Sequence, residues 1–130
     1  MKEYDGRVRL VFKDRPLPFH TLAPAAHEAA RCAGESGRFW AYHDRLFNEQ
    51  PAFQRDHLVR YAVDLGVDST AFTRCLDERR FKAAVEADVA QARALGITGT
   101  PTFLINGRPL VGAQPVEAFR HVIDEALKAR

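Results

Sequence analysis

Gly96-Ile-Thr-Gly-Thr-Pro-Thr-Phe-Leu-Ile-Asn-Gly107 is the stretch on which the fold turns, because the hydrophobic period changes across it. Upstream the apolar residues recur at helical spacing, and Gly96 ends that pattern. Within it, Thr102 to Ile105 is a short apolar run, Asn106-Gly107 is a strong hairpin turn, and Leu110-Val111 lie in the returning strand. Downstream, Pro115 opens a last helix whose Phe119, Val122, Ile123 and Ala126 form one apolar stripe. A helical block followed by a hairpin and a helix is therefore expected.

Moving toward the start, Phe81, Val85, Val89, Ala92 and Leu95 share one helical face. Before them, Asp68 can cap a helix that buries Phe72, Cys75 and Leu76, and Leu58, Tyr61, Ala62 and Leu65 form another stripe that Gly66 ends. Phe39, His43, Leu46 and Phe47 recur at helical spacing beside Trp40, and the Phe39-Trp40-Tyr42 cluster reads as core. Pro24 starts an alanine-rich helix, with Gly34 past its end. Gly6 to Lys13 alternates instead: Val8, Leu10 and Phe12 on one side, Arg7, Arg9 and Lys13 on the other, with Val11 the exception. That predicts a strand, stopped by Pro16 and Pro18, which cannot donate to a ladder.

The 130 residues carry 19 Lys+Arg against 17 Asp+Glu, a net charge of +2 that makes no electrostatic claim on nucleic acid. Arg79-Arg80 and the tail Lys128-Ala129-Arg130 are the densest basic spots, and both read as solvated helix positions. Charges at Lys2, Glu3, Asp5, Arg7 and Arg9 exclude a secretory leader at this start, and no window is long and apolar enough for a membrane span. The compartment stays open between cytoplasm and a mature form of a periplasmic protein. His20, His27 and His43 lack metal-ligand spacing, so no metal or other cofactor is expected. His43 reads as a satisfied core or interface histidine, and His20 as a turn residue.

Three segments in this order resemble the DsbA-like branch of the thioredoxin superfamily. Val8-Arg-Leu-Val-Phe-Lys-Asp-Arg-Pro-Leu-Pro-Phe-His20 is similar to its strand with a proline-rich exit. Ala29-Ala-Arg-Cys-Ala33 with Gly37-Arg-Phe-Trp-Ala-Tyr-His-Asp-Arg-Leu-Phe47 resembles its helical insertion, and Gly96–Gly107 its cis-proline loop and hairpin. The resemblance implies an α/β class: a truncated thioredoxin-like fold, one domain over residues 1–130 with a helical insertion at about 22–96. It also implies a small mixed sheet of about three strands, ending in the β-hairpin and helix.

Members of that family begin with a strand, a Cys-x-x-Cys motif and the helix it opens, and this unit would lie before residue 7 here. The chemistry needs the motif because a helix N-terminus lowers the attacking thiol's pKa and a second thiol one turn on resolves the mixed disulfide. Cys32, near the end of its helix, and Cys75, mid-helix on an apolar stripe, meet neither condition, so no catalytic residue is assigned. The resemblance implies a structural disulfide between Cys32 and Cys75; two free core thiols are the alternative in reducing cytosol. It also implies a cis bond at Thr100-Pro101, a loop that in relatives pairs with an extended peptide; here it either does so or simply shapes the turn.

Loss of a central strand and its helix leaves backbone groups and an apolar face unpaired, which predicts a homodimer, with an extended peptide or protein as a further partner. The leading function is a non-catalytic binding or assembly module. The alternatives are part of a working thiol–disulfide oxidoreductase whose Cys-x-x-Cys is supplied upstream or by a partner chain, and a redox sensor acting through Cys32 and Cys75.

Overall fold

The computed structural model describes residues 2–128, so Met1 and the tail residues Ala129 and Arg130 lie outside the described residues. A short 3-10 turn at Lys2–Tyr4 precedes α1 (Ala23–Gly34), α2 (Phe39–Asn48), α3 (Arg55–Asp64), α4 (Ser69–Asp77), α5 (Lys82–Ala94), β1 (Thr102–Ile105), β2 (Arg108–Val111) and α6 (Val116–Lys128). The architecture is mixed α/β, consistent with a truncated thioredoxin-like fold. The chain divides into two compact units, Met1–Val89 and Ala90–Arg130.

In the first unit, small side chains bring helices close. Pro24 enters α1 at its first turn, and Ala29 and Ala33 are fully buried, so α1 packs directly on α2 and α4. Tyr42, Tyr61 and Phe72 fill the space between helices, with Tyr42 and Phe72 ring centroids 5.7 Å apart. Their polar ends are satisfied: Tyr42 donates to the Leu58 carbonyl at 2.8 Å and Tyr61 to the Ala52 carbonyl at 2.7 Å. Burial pushes the Tyr42 hydroxyl far up in pKa, with Tyr61 adding to it, so it stays a donor. Asp68 caps α4 as expected, its Oδ2 accepting from the Ala71 amide at 3.0 Å. Buried Glu28 on α1 accepts from Arg79 Nη2 at 2.7 Å, and Arg79 holds left-handed backbone (φ 50) where it makes that bond.

The second unit is thinner. Asn106 (φ 51) and Gly107 (φ 86) give the two consecutive positive φ values of a tight hairpin, and β1 and β2 pair antiparallel from Thr102↔Val111 to Ile105↔Arg108. Phe103 of β1 meets Phe119 of α6 edge-on at 4.7 Å. Among the described residues of this unit only Ala92 and Val122 are buried apolar side chains.

Three expectations need correction. The predicted strand over Gly6 to Lys13 does not form among the described residues: residues 8–17 have no helix, turn or bend and no ladder partner there, and the described sheet has two strands rather than about three. Alternation specifies a strand only where a second strand supplies hydrogen bonds. Helix α1 also runs through Gly34, and Gly37 (φ 73) takes the left-handed turn instead. Trp40 is 45% exposed, so only its neighbours belong to the core. It stands about 100° around the helix from Phe39, off the Phe39, Tyr42, Leu46 face.

Candidate functional site

Cys32 near the end of α1 and Cys75 in α4 are joined by a disulfide with Cα atoms 5.9 Å apart. The two residues are 3% and 1% exposed, inside the cluster that holds Tyr42, Tyr61 and Phe72. Neither sulfur has a thiol to offer, and neither lies at a helix N-terminus. The pair clips α1 to α4 across 43 residues of chain.

The proline loop lies in the second unit. The Ile97 amide donates to the Ala92 carbonyl at 2.8 Å across Gly96, turning the chain out of α5. The Thr100–Pro101 peptide bond is cis, as is Gln50–Pro51. Thr102 Oγ1 donates to the Gly99 carbonyl and the Gly112 amide to the Pro101 carbonyl, both at 2.8 Å, so the Pro101 acceptor is already used. Thr100 and Pro101 are exposed, and Thr100 makes no backbone hydrogen bond among the described residues.

The first unit carries an open groove of about 510 Å³, walled by Leu10, Val11 and Phe12 on the irregular segment, Phe39 and Trp40 of α2, and Phe81. Leu10 and Val11 are 51% and 55% exposed. Phe12 is fixed by rings around it: His43 at 4.9 Å, Phe39 at 5.6 Å and Trp40 at 6.4 Å. His43 is thus half-buried against aromatic faces, with Nδ1 3.0 Å from Asp44 Oδ1. His20 takes the turn role, its amide donating to Leu17 and its carbonyl accepting from Ala23.

At one end of the groove lies a charge cluster that the sequence did not reveal. Asp14, 3% exposed, meets His27 Nδ1 at 2.7 Å and accepts from Arg31 Nε at 2.5 Å. Arg31 Nη2 and the Asp14 amide both donate to Asp88 Oδ2, at 2.8 and 2.9 Å. Burial pushes the Asp14 carboxyl up, but the hydrogen bonds from His27 and Arg31 and their charges outweigh it and hold the group below its ordinary value. Removing one partner from such a buried pair costs about 3 kcal/mol or more, because a charge is stranded. The cluster therefore ties the irregular segment to α1 and α5. His27 and Arg31 are spaced i, i+4 on α1, the one local sign that they share a face. Nearby in sequence, Arg15 keeps Nε and Nη1 buried with no hydrogen-bond partner among the described residues.

The groove offers apolar walls and a run of backbone that forms no ladder, and its charges are already paired. Among the described residues no group of three or more His, Cys, Asp or Glu is placed to hold a metal ion, and no helix is long and apolar enough to cross a membrane.

Comparison with known proteins matches residues 1–125 to the family model described as Thioredoxin. The chain is 38% identical over 110 residues to a Na(+)/H(+) antiporter NhaA of Herminiimonas arsenicoxydans, covering 85% of this chain and 18% of that one. It is 38% identical over 120 residues to Na(+)/H(+) antiporter NhaA 3 of Salinispora tropica, covering 92% and 18%. Against Na(+)/H(+) antiporter NhaA 1 of Salinispora arenicola the identity is 36% over 120 residues. The chain thus spans less than a fifth of the length of the curated relatives it matches, 18% in each of these three.

Proposed function

The chain belongs to the thioredoxin family, and we propose that it serves as a DsbA-like, non-catalytic binding or assembly module. The observation that carries this reading is the state of the cysteines. Thiol–disulfide exchange needs an accessible thiolate or an attackable sulfur, and both sulfurs here belong to residues no more than 3% exposed and are bonded to each other. What remains for function is surface: the apolar groove of the first unit and the exposed Thr100-Pro101 loop of the second. At that loop the free Thr100 amide and carbonyl are the groups a peptide would meet by strand addition. The relatives hold the matched segment as a minor part of chains named Na(+)/H(+) antiporters, which supports an accessory, partner-engaging role.

An insulin-reduction assay tests this. The expected result is no turnover above the uncatalysed rate, with the Cys32→Ser/Cys75→Ser protein indistinguishable. Turnover by the native chain that disappears in the double variant would overturn the reading.

A further inference from the structure

We propose that Asn106 is a self-modification site: it loses its side-chain amide to attack by the Gly107 backbone nitrogen, which leaves an aspartyl or isoaspartyl residue at the hairpin tip. The step balances with water alone. The Gly107 nitrogen attacks Asn106 Cγ and gives up its proton to solvent. The Cγ–Nδ2 bond breaks and ammonia leaves, so a five-membered succinimide joins the two residues. Water then opens the ring. Attack at the side-chain carbonyl restores the ordinary backbone with a carboxylate at Cγ, and attack at the main-chain carbonyl routes the chain through Cβ and Cγ.

The observations that select this site all lie within the second unit. Asn106 and Gly107 are both exposed, so solvent base and water reach them. Neither the Asn106 side chain nor the Gly107 amide has a hydrogen-bond partner among the described residues. Gly107 also has no Cβ to shield its nitrogen. The chain's other asparagine, Asn48, ends α2 and is followed by Glu49, whose amide donates to the Arg45 carbonyl at 3.0 Å. There the attacking nitrogen is both engaged and hindered.

The turn sets the rate. With Asn106 at φ 51 and Gly107 at φ 86, a mirror-type turn carries the Gly107 nitrogen away from Cγ, so ring closure takes a local opening. The Ile105↔Arg108 pair closes the turn, and loop tips are among the places where a fold opens at least cost. The isoaspartyl product then resists reclosure. Its added backbone atom does not fit a two-residue turn that holds Ile105 opposite Arg108. The new carboxylate also lowers the formal charge of +2 by one.

The test is storage of the intact chain at mildly alkaline pH, sampled by ion exchange, peptide mass and labelling with an isoaspartyl methyltransferase. The expected result is a growing acidic species in which Asn106 has exchanged its amide for a carboxyl group and accepts the label, while Asn48 stays intact. In that species the Ile105 and Arg108 amides are expected to exchange faster. Asn106→Gly, which tolerates the left-handed turn without a carboxamide, is expected to yield no acidic species on storage. A native chain that keeps Asn106 intact would overturn the proposal, most sharply if the urea-unfolded chain loses it. Equal loss at Asn48, or an isoaspartyl species whose Ile105 and Arg108 exchange is unchanged, would overturn it as well. The insulin assay, and the non-catalytic reading it tests, do not depend on any of these outcomes.

Discussion

The two units of this chain are stabilised in different ways. Residues 1–89 hold aromatic side chains between four alanine-lined or leucine-lined helices, clipped by one disulfide and by buried carboxylates whose charges are matched. Residues 90–130 hold a four-residue-per-strand hairpin against one helix, with Phe103 on Phe119 and little else buried. An isolated hairpin is marginal in water, so the second unit depends on its turn chemistry and on α6. The difference teaches where the packing of this thioredoxin-family chain lies among the described residues: in the helical body of one unit, with a two-stranded sheet in the other.

This contrast can be broken in graded steps. Reduction of Cys32–Cys75, or Cys32→Ser with Cys75→Ser, is expected to destabilise the helical unit by about 4 kcal/mol, the chain-entropy value for a loop of this size. Urea titration with and without reductant reads the loss, and amide exchange should place it in α1 and α4 while β1 and β2 keep their rates.

Asp14→Asn comes next, at about 3 kcal/mol, since it removes the buried charge that His27 and Arg31 Nε meet, leaves Arg31 with Asp88 alone and loosens the irregular segment from α1. The pH dependence follows from the lowered Asp14 pKa. A carboxyl whose folded pKa lies below its unfolded one contributes fully above the ordinary value of about 4, and that contribution is lost as pH falls through the folded value. Urea midpoints of the native chain should therefore drop below about pH 4, and those of the Asn variant should drop less.

The smallest step is Gly107→Ala, about 1 kcal/mol, because a Cβ meets open space there but left-handed backbone (φ 86). Faster exchange confined to β1 and β2 is the expected result. A matching loss in the helical unit would show that the two units are not separable in stability.

Legibility in the sequence followed the range of the interactions. Helices were readable because caps and stripes are local: Asp68 above α4, the 58, 61, 62 and 72, 75, 76 sets, and the Asn106-Gly107 turn all lie where their spacing placed them. The Gly6 to Lys13 alternation is a strand pattern yet forms no strand among the described residues, because a ladder also needs a partner strand, which a local pattern does not reveal. The Asp14, Arg31, Asp88 cluster joins residues 17 and 57 positions apart, and no local pattern marks such a pairing. Trp40 looked like core because it adjoins Phe39 and Tyr42 in sequence, whereas a helix points it elsewhere.

Whether this family member still exchanges disulfides is decided most directly by trapping. The native chain is incubated with a cysteine-containing peptide in a glutathione redox buffer, quenched with an alkylating agent and weighed intact. The expected spectrum holds one species, the unmodified chain with Cys32 and Cys75 joined. A mixed disulfide between the peptide and either cysteine, formed while the fold is intact, would contradict the account.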